Sequence, residues 1–119
     1  MTVSSRIMIQ KLGRVVVIDF IDAAIMDTLQ IQQIADDLYY LVDEQDQKYL
    51  LLDFSSVKFL SSQTLGVMLK LHKKLTDRKG WLGICGLKED LYKIFKLTRL
   101  DKFFNFYKSE EEALRAVGI

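Results

Sequence analysis

The sequence is short of the residues that carry most catalytic and metal chemistry: one cysteine, one histidine, one tryptophan and no proline. With Cys85 alone an intramolecular disulfide is impossible. Its apolar setting, Trp81-Leu82-Gly83-Ile84-Cys85, reads as a buried strand in which the thiol acts as a small hydrophobe. With His72 alone a zinc site of linked histidine and cysteine ligands cannot be assembled, and a histidine-based triad would have to form around a residue on an apolar helix face. His72 therefore reads as a half-buried packing residue. No run of about eighteen apolar residues is available to cross a bilayer. Residues 1–11 lack the apolar core of a signal peptide, so a cytoplasmic protein with no direct membrane insertion is expected. Charge of one sign is missing too: 17 basic side chains stand against 16 acidic ones, a formal net charge of +1. That balance gives no general pull toward nucleic acid or anionic lipid, and nucleic acid is not an expected partner.

What is present is an ordinary globular composition over 119 residues, 50% hydrophobic and 28% charged, which suits one domain spanning 1–119 with a single core. No repeat, linker or low-complexity tract interrupts it. Residues 7–10 and 14–20 are short, apolar and rich in β-branched side chains. Lys11-Leu12-Gly13 between them predicts a β-hairpin with Gly13 at the turn.

After Asp22 the period changes. Leu29, Ile31, Ile34, Ala35, Leu38, Leu41 and Val42 recur at helical spacing, with Asp27 or Thr28 able to cap a helix over 27–43. The apolar run 49–54 predicts a central strand covered on both faces. Leu65, Met68, Leu69, His72 and Leu75 mark a second helix over 62–79, with Gly80 as its stop. A strand over 81–85, a helical segment carrying Leu87, Leu91, Ile94, Phe95 and Leu97, a last strand over 103–107 and a final helix through Val117 complete the pattern. Ser109 and Glu112 fit a capping box at the start of that helix. Such alternation after a hairpin predicts an α/β fold, a mixed sheet with helices packed on it.

Chemistry is scarce. Gly80, Gly83 and Gly86 match neither a phosphate loop nor a dinucleotide fingerprint. The carboxylates sit mostly at helix starts or in charged loops, and spacing nominates no acid/base pair. No catalytic residue, metal or cofactor is therefore expected. Lys70, Lys73 and Lys74 with His72 form a basic face that is either solvated or attractive to an acidic partner. The most distinctive segment is 53–66, a hydroxyl-rich connection from the end of a buried strand to the start of a helix. Sites tend to be built at the carboxyl ends of strands, and a helix N-terminus tolerates an anion. Ser61 or Ser62 is then either a helix N-cap or a modification site.

That segment resembles the signature of STAS domains, named for sulfate transporters and anti-sigma factor antagonists. In that signature a strand ending in Asp-x-Ser leads through Val-x-Phe-hydrophobic-Asp-Ser-Ser-Gly-Leu-Gly into a helix. Here it stands as Asp53-Phe54-Ser55, Val57, Phe59-Leu60, Ser61-Ser62-Gln63-Thr64 and Leu65-Gly66. The opening hairpin, Ile21-Asp22, Gly80, Leu97-Thr98-Arg99-Leu100 and the acidic start of the last helix extend the likeness over nearly the whole chain.

The resemblance implies a non-enzymatic anti-sigma factor antagonist. It would dock onto a switch kinase that is also an anti-sigma factor, be released by serine phosphorylation and be restored by a phosphatase. By position the phosphorylated serine falls on Ser62, with Ser61 and Thr64 as secondary acceptors. The partner surface would comprise Asp22, Leu60, Ser61, Ser62, Gln63, Thr64, Leu65 and Gly66. Ser61 stands where the family has aspartate, and Gln63-Thr64 where it has Ser-Gly. The alternative is a constitutive STAS scaffold or accessory subunit of a signalling or membrane transport complex, without phospho-switching.

Overall fold

The computed structural model describes residues 6–118. Residues 1–5 and 119, and with them part of the opening segment read above for a signal-peptide core, lie outside the described residues. Strands β1 (Ile7–Leu12) and β2 (Val15–Phe20) form the hairpin, and Gly13 takes the positive φ of 61° that the turn requires. A two-residue strand β3 (Ala24–Ile25) leads to helix α1 (Thr28–Asp43), then β4 (Tyr49–Asp53), a second two-residue strand β5 (Phe59–Leu60) and helix α2 (Ser62–Asp77). The chain continues through β6 (Trp81–Cys85), α3 (Glu89–Leu97), a 3-10 turn (Leu100–Phe103), β7 (Asn105–Tyr107) and α4 (Glu110–Val117). The main sheet has the order β1-β2-β4-β6-β7. Only β1 and β2 are antiparallel. β3 and β5 pair parallel as a separate two-stranded sheet.

Alternation along the strands divides the core. Val16, Ile18, Leu50, Leu52, Leu82 and Ile84 face α1, α2 and α3 in the main cluster. Val15, Val17, Leu51 and Cys85 face the other way, where α4 covers them with Ala113, Leu114 and Val117. Cys85 is fully buried, in keeping with the small-hydrophobe role. β4 is buried on both faces because it is central, and its run of leucines follows from that.

The elements expected from periodicity are found, with local differences. Asp27 caps α1: its carboxylate accepts from the Gln30 backbone while the Gln30 side chain bonds back, a full capping box. At α4, Ser109 accepts from the Glu112 backbone. Gly80 is needed for closeness rather than for a left-handed backbone: Lys79 takes φ 58°, and a Cβ on Gly80 would lie 2.2 Å from the Lys48 carbonyl oxygen. Residues 100–103 coil into a 3-10 turn, so the last strand begins at Asn105 rather than at 103. Arg99, at φ 62°, sets that turn. Leu29 and Leu97, placed on apolar helix faces by spacing, are exposed instead, at 67% and 84%.

Candidate functional site

The segment from Asp53 to Ser62 is held on every side. Asp53, at the end of β4, accepts from the Ser55 backbone N–H (2.8 Å) and hydroxyl (2.6 Å), which turns the chain sharply. Phe54 and Val57 are fully buried, and the Phe54 ring lies 4.8 Å from that of Phe20. Lys88 Nζ donates to the carbonyls of Ser55 (2.6 Å) and Val57 (3.1 Å). The N–H groups of Lys58 and Phe59 both reach the Ala23 carbonyl, and that of Ser61 reaches Ile25. The β3–β5 pair thus fastens the segment to the chain leaving β2.

That chain is fixed in turn by Asp22. Its carboxylate accepts from Arg6 Nη1 (3.1 Å) and Gln30 Nε2 (2.8 Å). Gln30, buried, also donates to the Ala24 carbonyl and accepts from the N–H groups of Met26 and Asp27, so its amide is fully used. Asp22 is therefore a clasp behind the segment, with a side chain 29% exposed.

At the start of α2, Ser61 occupies the N-cap position with an extended backbone, but its hydroxyl makes no capping bond; Thr64 Oγ1, at 3.4 Å, is its contact. Thr64 is buried and donates to the Ile25 carbonyl (3.3 Å), and Leu65 is buried as well. These two side chains belong to the interior. Leu60 is half-buried against the main core. Ser62, Gln63 and Gly66 are exposed, and a Cβ on Gly66 would meet nothing within 4 Å. The Ser62 hydroxyl has no hydrogen-bond partner among the described residues.

Large apolar side chains are exposed on the elements that precede α2 or bond to it: Phe59 on β5 (61%), Met26 just after β3 (54%) and Leu29 in the first turn of α1 (67%). Thr28, beside Leu29 in the chain, bonds Gln63 of α2 (3.3 Å). Sequence reading missed this exposure. Leu29 obeys the helical period of the buried residues, and the pairing of Ala24 with Phe59 and Ile25 with Leu60 rests on strands too short to carry a pattern.

A second cluster lies on the α4 face. The β2–β4 register sets Asp19 opposite Asp53, and Glu110, the first residue of α4, comes down upon them; oxygens of all three lie within 4.8 Å of one another. A hydrogen bond to Asp53, then burial, raises the Glu110 carboxyl to about 7. Burial and the Asp53 charge raise Asp19. Burial also opposes the charge of Asp53, but hydrogen bonds from Glu110 and Ser55 outweigh it and hold that carboxyl below its ordinary range. Three carboxyls in such proximity share a proton or surround a hard cation. The adjacent Cys85 thiol is pushed up to about 12 by burial and by these charges, so it is no nucleophile. Nothing in the sequence joins residues so far apart.

The basic face of α2 is divided. Lys74 pairs with Asp43 (2.6 Å), and Lys70 and Lys74 each lie 5.1 Å above the Tyr39 ring. Lys73 instead lines a groove together with His72, which packs half-buried with its ring edge-on to Phe103 and Phe104.

No helix of the described residues is long and apolar enough to cross a membrane. The fold is shared with an anti-sigma-factor antagonist domain protein of Planctomyces limnophilus (20% identity, 95% of this chain and 98% of that one, TM-score 0.85). It is shared also with an anti-sigma factor antagonist of Mycobacterium paratuberculosis (25%, 93% and 92%, 0.81). The phosphorylated form of the Bacillus cell fate determinant SpoIIAA is a third (19%, 93% and 98%, 0.74). The sequence profile of the STAS domain matches residues 6–113, and by that match the chain belongs to the STAS domain family.

Proposed function

We propose that this chain is a non-enzymatic docking switch of the anti-sigma factor antagonist kind. Unmodified, it binds an anti-sigma factor that is also a serine kinase; a phosphoryl group on Ser62 releases it, and a phosphatase restores it. The observation that carries this reading is the exposed, unpartnered Ser62 hydroxyl at the first turn of α2, on a segment fastened from behind by the β3–β5 pair. In the transfer, Ser62 Oγ forms the new O–P bond as the kinase's nucleoside triphosphate loses its terminal phosphoryl group, and the hydroxyl proton passes to a base of the kinase.

The helix N-terminus tolerates the added charge, so the fold survives. A protein contact made over it does not, because a phosphoryl charge of about −1.5 to −2 resists desolvation there. Thr64, buried with its hydroxyl engaged, is set aside as an acceptor. A cytoplasmic setting follows from the proposed partners.

Exposing the protein to candidate serine kinases from its own source, mapping phosphate by mass spectrometry and comparing partner binding of wild type, Ser62→Ala and Ser62→Asp tests the proposal. Phosphate on Ser62 with binding lost only in the Asp variant is expected. No phosphate and equal binding by all three would leave a constitutive scaffold, the reading that the extra anchorage through Thr64 favours.

A further inference from the structure

The groove beside Lys73 stands well apart from Ser62. Its centre is about eleven residues along α2, or roughly 16 Å at the helical rise. It holds about 300 Å³ between α2 and the 3-10 turn, walled by Leu69, His72 and Phe103, with Lys73 and Thr76 on the rim and Asp77 at one end. The Phe103 ring is 49% exposed, lies 5.8 Å from the ring of His72 and is carried on the turn that Arg99 begins. A preformed aromatic wall of this kind offers an anchor site at little ordering cost.

Charge states what it would take. Residues 62–103 carry ten basic and four acidic side chains, a net +6, whereas residues 6–57 carry four basic and nine acidic, a net −5. Lys74 and Arg78 are matched by Asp43 and Lys88 by backbone carbonyls, which leaves exposed Lys73 at the groove, and Arg99 and Lys102 at the start and within the 3-10 turn that supplies Phe103, with Asp77 and Asp101 as opposing charges.

We infer that the α2/3-10 groove is a second docking surface, for an acidic protein segment that seats one aromatic or aliphatic anchor against Leu69 and Phe103 while its carboxylates meet Lys73, Lys102 and Arg99. The inference is independent of Ser62. It gives the molecule two faces that can be occupied together.

The test uses the full chain, isotopically labelled, and an acetylated probe peptide of about twelve glutamates and aspartates with one central tryptophan. Amide shifts confined to the Leu69–Asp77 stretch and the turn at Phe103 are expected. Affinity should fall about tenfold in Lys73→Glu, in Phe103→Ser and on replacing the probe's tryptophan by serine. It should also weaken from about 50 to 300 mM salt, as screening shortens. Both substituted side chains are exposed, and circular dichroism checks that the variants fold. Shifts centred on Ser62, or affinity unchanged by Phe103→Ser, would overturn the proposal. So would binding to phosphatidylserine vesicles with none to the peptide, because the surface would then serve a lipid headgroup.

Discussion

Between about pH 5 and pH 8 the folded protein must give up a proton that the unfolded chain has already lost. The Glu110 carboxyl, ordinarily at 4.5, is held up to about 7 by its hydrogen bond to Asp53 and by burial. A folded-state value above the unfolded one means that the stabilisation is complete below the unfolded value and is lost as pH rises through the folded value. The interval corresponds to roughly 3 kcal/mol at about 1.4 kcal/mol per unit. Glu110 is only partly buried, and screening by water brings the contribution to about 1 kcal/mol.

The groups that face it are Asp19 from β2, Asp53 from β4, itself hydrogen-bonded by Ser55, and Cys85 from β6. Asp19, raised, adds in the same sense at the acid end. The lowered value of Asp53 acts only further into acid, and Cys85 titrates far above the window. Glu110→Gln keeps an N–H donor for Asp53 at every pH. Urea unfolding at about pH 5 and pH 8 should therefore show wild type losing about 1 kcal/mol relative to the glutamine variant across the interval. Equal slopes, or a wild type that gains stability relative to the variant as pH rises, would refute the shared proton.

Gly80→Ala forces a Cβ against the Lys48 carbonyl and should cost about 2–3 kcal/mol, read as a lower urea midpoint at unchanged slope. Gln30→Ala strands the N–H groups of Met26 and Asp27 and one bond to Asp22. A loss of about 2 kcal/mol is expected, with faster amide exchange in residues 22–27. Gly66→Ala adds a methyl in open space on a helix and should stabilise by about 0.5–1 kcal/mol in thermal unfolding. If the partner's backbone approaches α2 at this point, the same variant binds it more weakly.

Long periodic elements were legible because burial of one face dictates their spacing. β4, α1 and α2 lie within about two residues of where Leu50–Leu52, Ile31–Val42 and Leu65–Leu75 place them. The two-residue strands β3 and β5 were not, since Ala24–Ile25 and Phe59–Leu60 are shorter than one period of any pattern. Yet that pairing presents Ser62. The signature segment was legible as the connection from β4 to α2, while the inward turn of Thr64 and Leu65 and the outward turn of Leu29 needed the packing of α1 against α2 to be seen. Phe103 read as the first residue of the last strand, 103–107. The left-handed Arg99 decided otherwise.

The sole tryptophan lies on the α4 face: the Trp81 ring covers Gly83, whose added Cβ would come within 2.3 Å of it, and it packs with Tyr107 beneath Leu114 and Val117. Helix α2, which begins at Ser62, packs on the opposite layer. Tryptophan emission is thus a native optical reporter for one side of the sheet alone: undocking of α4 shifts it, while a protein captured at Ser62 leaves it unchanged.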